Sequence, residues 1–268
     1  MRAATVLAGI VLVVAGCSGG AATPASSASP DQSATHAAAA SSSAAAAPSP
    51  VATQIPGCLP DCVQPNLTRP GNLAVGDYTT KYFFGGQLTV SVPEGWTSFE
   101  DSTGEFALRP EGREDRAILF WIDVYPIVDG TFKPIAGYDG TAQAMVDWIA
   151  ANPNIAVIEN GTGRLGGLEA MRLEFGRAED AVNVDPGCPP EVRACVGLLS
   201  FPQWGGGFYS QGGPFHLVLI AVDAQWDGET HGVYAMIDAA NDDVFAEFGP
   251  IATELIGSAR LPAGVGQE

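Results

Sequence analysis

The chain has 268 residues and a formal net charge of −18, with 30 acids against 12 bases. Charged residues make up 16% of it, below the roughly 25% of ordinary soluble proteins. This balance argues against nucleic acid, which needs a basic face, and against docking on anionic lipid through a polybasic patch.

Residues 1–16 read as a secretory signal peptide: Arg2, an apolar run over 3–15, then small residues before Cys17. That run is about thirteen residues, short of the about 20 that span a bilayer. Val14-Ala15-Gly16-Cys17 has the pattern of a bacterial lipobox. Its resemblance to bacterial lipoproteins implies diacylglyceryl transfer to the Cys17 thiol, cleavage before it and acylation of the new N-terminus. The partner so implied is the lipid bilayer, and the location is the outer, extracytoplasmic face of the membrane.

Residues 17–56 are the lipidated cysteine and a stretch of Ala, Ser, Pro and Thr, with too few large apolar side chains to offset ordering entropy. A solvated linker is expected, with His36 incidental. Removing 1–56 takes away one base, Arg2, and one acid, Asp31, so the remainder, 57–268, carries the whole −18.

Four cysteines remain: Cys58, Cys62, Cys188 and Cys195. An exported, oxidising setting makes two disulfides the expectation. Zinc is disfavoured by the spacing and by the compartment. Local pairs, 58 with 62 and 188 with 195, are preferred, although four cysteines allow three connectivities.

Strands are expected over 81–84 and 88–92, then 105–109 and 117–125. A helix is expected over 141–151, capped by Thr141 and stopped by Asn152-Pro153, with Met145, Trp148 and Ile149 on one face. Further strands follow over 156–159, 163–177, 195–201, 215–222 and 232–239. A last helix is capped by Asn241 or Asp242, with a kink expected near Pro250. Hairpin-like links between these elements define an α+β domain, a mostly antiparallel sheet packed with about two main helices.

Several stretches then look familiar. These are Asp77-Tyr78-Thr79-Thr80-Lys81-Tyr82-Phe83-Phe84, Leu88 through Trp96, the helix ending Trp-x-x-x-Asn-Pro, and Gly166-Gly167-Leu168. Together they resemble a group of actinobacterial and related extracellular lipoproteins over most of 57–262. The strand ending in Pro-x-Gly-Trp is similar to the PsbP/Mog1-like α/β/α sandwich. The resemblance implies location and fold, and it brings no catalytic residues.

Chemistry is sparse. His216 lies in an apolar strand and is read as structural, and His231 is read as a surface turn residue. Around Ser210 the first glycine of a nucleophile elbow is missing. Asp223, Asp227 and Glu229 form a loop of acids without the EF-hand pattern, and Asn241, Asp242 and Asp243 suit helix capping. Arg172 and Glu174 should share a strand face. Trp96, Trp121 and Trp148 are read as packing. No metal or cofactor is expected.

The candidate ligand loop is Trp204-Gly205-Gly206-Gly207-Phe208-Tyr209, whose aromatics (Trp204, Phe208, Tyr209) suit stacking on a ligand or folding back over the sheet. The expected function is a non-catalytic, membrane-anchored domain binding a protein or small ligand outside the cell. The alternatives are a cell-envelope glycan hydrolase using a carboxylate pair and a purely structural surface protein.

Overall fold

A computed structural model of the chain describes residues 71–128, 133–182, 195–201 and 208–262. The centre of the fold is set by β13 (His216–Trp226) and β14 (Glu229–Ala239), two eleven-residue antiparallel strands. Both are almost entirely buried because both faces of the sheet are covered, so they read as apolar runs without alternation.

Around them stand β1 (Gly71–Asn72), β4 (Trp96–Asp101), β5 (Glu105–Pro110), β6 (Arg116–Ile122), β9 (Ile155–Leu165) and β10 (Leu168–Arg177). The resulting eight-stranded sheet has the order β1-β4-β5-β6-β14-β13-β10-β9, antiparallel throughout. One face packs on α2 (Asp242–Ser258) and on the hairpin of β2 (Gly76–Thr79) and β3 (Thr89–Val92). The other packs on α1 (Ala142–Ala151) and on β11 (Cys195–Ser200) of a four-stranded sheet. That sheet runs β12-β11-β7-β8, with β7 Tyr125–Val128, β8 Lys133–Pro134 and β12 Phe208–Gly212. The fold is therefore α+β, one antiparallel sheet between two covering layers, with two helices.

Both helices begin where capping chemistry places them. Thr141 Oγ1 accepts from the Ala144 N–H at 3.1 Å, and Asp223 Oδ1, reaching from β13, accepts from the Ala142 N–H at 2.7 Å. Asn241 Oδ1 accepts from the Val244 N–H at 3.0 Å, with Asp242 and Asp243 in the first turn. Pro250 lies inside α2, which continues through it as one element.

Three strand expectations are corrected. The run expected over 117–125 breaks after Ile122, where Asp123 is left-handed at φ 50°, and Tyr125 opens β7 in the other sheet. Residues 81–84 form no strand: Phe83–Gly85 is a 3-10 turn with Phe84 left-handed at φ 53°. Aromatic β-propensity is overridden there because the Asp101 carboxylate collects the backbone N–H groups of 81–83. The break expected at 160–162 is strand instead. The chain turns at Gly166-Gly167, whose φ angles of 61° and 86° are what a two-residue hairpin loop requires. Of the strands not foreseen, β4 follows Pro-Glu-Gly directly, and β12 begins inside the glycine-rich stretch expected to be loop.

Candidate functional site

The site grows from cross-strand registry. Glu105 on β5 stands opposite Trp121 on β6, and Trp121 opposite Tyr234 on β14. Asp238 lies four residues further along β14, on the same face by strand alternation. This face meets the four-stranded sheet, and β12 supplies the partners. Tyr209 Oη donates to Asp238 Oδ2 at 2.8 Å, and Gln211 Nε2 lies 2.7 Å from both Asp238 Oδ2 and Tyr209 Oη. The Tyr209 ring rests on Trp121 at 5.2 Å, and Phe201 sits 5.9 Å from the same indole.

Burial raises the Asp238 carboxyl from 3.8 to about 6, opposed by the Tyr209 and Gln211 donors. Glu105 is raised from 4.5 to about 8, first by burial and then by the charge of Glu100. The Trp121 indole N–H leans toward Glu105 and lowers it, without reaching hydrogen-bond geometry. Tyr209 is raised well above its ordinary value by burial, then by Asp238. At neutral pH Glu105 is thus mainly protonated and Asp238 mainly ionised, the two acids standing two strands and four registry positions apart on this face. Trp121 is fully buried, and its Nε1 has no hydrogen-bond acceptor among the described residues.

Because Glu105 binds its proton more tightly folded than unfolded, its stabilising contribution is complete below about pH 4.5 and is lost as pH rises through 8. Glu105→Gln is expected to be more stable than wild type at pH 9, by roughly 2–4 °C in Tm, about 1 kcal/mol for a domain of this size and discounted for a partly exposed carboxyl. The gap should close by pH 5. Paired thermal melts check this, and a pH-independent gap contradicts it.

The ligand-loop residues are placed unevenly. Trp204 lies outside the described residues, and so does the side chain of Phe208, whose backbone opens β12. Tyr209 faces inward on Trp121. Cys17, Cys58, Cys62 and Cys188 lie outside the described residues, while Cys195 begins β11 and is buried and disulfide-bonded.

His216 is buried and its ring nitrogens are both partnered, which fits the satisfied histidine expected in this strand. Its Nε2 lies 2.9 Å from Glu174 Oε1 and its Nδ1 2.8 Å from Asp242 Oδ1, and its ring stacks on Phe245 at 3.7 Å. Arg172 pairs with Glu174 on one face, and with Glu159 at 2.6 Å.

His231 differs from expectation. It is 4% exposed, with Nδ1 2.8 Å from Asp123 Oδ2, because β14 begins two residues before it rather than after it. Asp223 caps α1 and Asp227 sits in the β13–β14 turn at φ 51°. Among the described residues no group of three or more His, Cys, Asp or Glu could hold a metal ion.

Sequence reasoning missed Glu105, Gln211 and Asp238. The one available signal was Asp238 itself, an acid inside the apolar run Val233 to Ala239, since a buried charge needs partners.

No protein-family model matches the chain, and no curated protein matches it. Among solved structures it is similar to a Bacteroides thetaiotaomicron protein at TM-score 0.36 and 9% identity, over 72% of this chain and 50% of that one. The chain therefore spans half the length of that protein. It is also similar to the cyanobacterial PsbP protein (CyanoP) of Synechocystis, at 0.34 and 10% identity, over 65% and 86%. The Ran-binding protein Mog1p of Saccharomyces cerevisiae follows at 0.33 and 12% identity, over 70% and 96%. The similarity to the PsbP and Mog1p folds is distant.

Proposed function

We propose that the chain is a bacterial lipoprotein of the actinobacterial extracellular type, anchored through acylated Cys17. Its folded part binds a protein or small ligand outside the cell without turning it over. The lipobox supports the anchor, the Ala/Ser/Pro-rich segment suits a spacer, and two local disulfides suit the compartment.

The observation that carries the binding reading is the buried Trp121 N–H, without an acceptor among the described residues, opposite Glu105 and under the Tyr209 ring where β12 meets the large sheet. An unsatisfied buried donor costs about 1–3 kcal/mol, so a ligand that parts β12 from the large sheet and brings an acceptor to this N–H recovers that cost. A second reading, a glycan hydrolase, would have to use Glu105 and Asp238, which share a face of the large sheet two strands and four registry positions apart.

Incubating the oxidised chain with fractionated cell envelope separates the two. The binding reading expects an unaltered ligand retained with the chain, and retention at least tenfold lower for Asp238→Asn. Release of cleaved glycan, abolished by Glu105→Gln, would establish the hydrolase instead.

A further inference from the structure

The long edges of a sheet are where a chain either blocks or invites another strand. Here the terminal strands are short in most places: two residues in β1, two in β8 and five in β12. β9 is the exception. It is eleven residues long, ends the large sheet, and is exposed over seven consecutive residues, 156–162. It contains no proline, and Val157 and Ile158 are 45% and 53% exposed. A bulge opposite Glu174 and Phe175 takes Ile158 out of register, so the regular outer edge is Glu159 to Leu165. Its glycines, Gly161 and Gly163, leave room for a neighbour to approach.

Charge on this edge is ordered. Glu159 and Arg164 stand five residues apart and therefore on opposite faces. Glu159 shares the single guanidinium of Arg172 with Glu174, two carboxylates against one cation, so an added base is favoured there. Arg164 is exposed, donates to the Gly167 carbonyl at 2.8 Å and, among the described residues, forms no ion pair. A second copy of β9 laid antiparallel would set Asn160, Thr162 or Arg164 itself near Arg164, with no acid of β9 on that face (Glu169 of β10 stands opposite Arg164 without forming an ion pair), and two domains of charge −18 repel.

We propose that the outer edge of β9 receives an extended segment of a different polypeptide as an added antiparallel strand. The segment carries an acid against Arg164 and, five residues later, a base against Glu159. This is a second site, three strands from the one at β12 and β14, and it goes beyond the binding reading by assigning an extended peptide to the sheet edge.

The test uses the full mature chain and two peptides, acetyl-Thr-Glu-Thr-Val-Thr-Val-Lys-Thr-amide and its Glu/Lys-swapped isomer. The first should slow amide exchange across 159–165 at least tenfold more than the swapped peptide at equal concentration. Arg164→Glu should weaken it at least tenfold. Equal protection by both peptides, protection elsewhere only, or self-association of the chain through this edge overturns the proposal. Retention of envelope ligand and its loss in Asp238→Asn are read independently, so failure at β9 is distinguishable from failure of the binding reading.

Discussion

Asp101→Ala is expected to lower the stability of the domain by about 3–5 kcal/mol, the range for stripping the partner from a buried hydrogen-bonded charge network. The carboxylate sits at the end of β4, nearly buried, and accepts from four donors. They are the Lys81 N–H at 2.7 Å, the Tyr82 and Phe83 N–H groups at 3.1 Å each, and the Tyr78 hydroxyl at 3.1 Å. Removing it leaves three successive backbone donors without the acceptor that holds the turn. It also releases Phe83 and Phe84, both fully buried, from the position that packs Phe84 against Trp226 at 5.1 Å. Phe84 is left-handed there, a conformation that costs a bulky residue free energy and persists only while its surroundings hold it. Asp101→Asn keeps one acceptor oxygen but turns an amide N–H toward backbone donors, so an intermediate loss is expected. Urea unfolding checks both, as a fall in midpoint at unchanged slope; a loss for the alanine variant under about 1 kcal/mol would contradict this role.

Asp101 also shows why part of the fold was not legible. Tyr82, Phe83 and Phe84 look like strand because their side chains suit one, and the reason they are not lies eighteen to twenty residues away, in a carboxylate that only the folded chain brings near. Where the determinants are local, the reading agrees with the structure. Thr141, Asn152-Pro153 and Asn241 fix helix ends through bonds to their own neighbours. The apolar runs of β6, β11, β13 and β14 announce strands covered on both faces.

The candidate site was legible only at Tyr209. Glu105 and Asp238 are ordinary acids among 30 until strand order sets β12 across from β14. Tyr209 itself points inward, which no local pattern distinguishes from an outward-facing loop aromatic. His231 was misplaced for a related reason. Asp227-Gly228 reads as a turn, but the strand resumes at Glu229, so the imidazole enters the layer and meets Asp123 across the sheet.

Cys17→Ser is expected to redistribute the protein completely. Each buried methylene of an acyl chain contributes about 0.8 kcal/mol, so one chain binds marginally and two or more hold durably. Little else in the sequence would compensate. The part after residue 56 carries the whole −18, which anionic lipid repels. Among the described residues no helix is long and apolar enough to cross a membrane.

The most direct measurement is fractionation of intact cells making either form, with mass determination of the mature N-terminus. The lipoprotein account predicts wild-type chain in the membrane fraction, beginning at an acylated Cys17 and open to added protease, and the serine variant free in the medium. A serine variant that stays with the membrane, or wild-type chain recovered from the cytosol with reduced thiols, would contradict it.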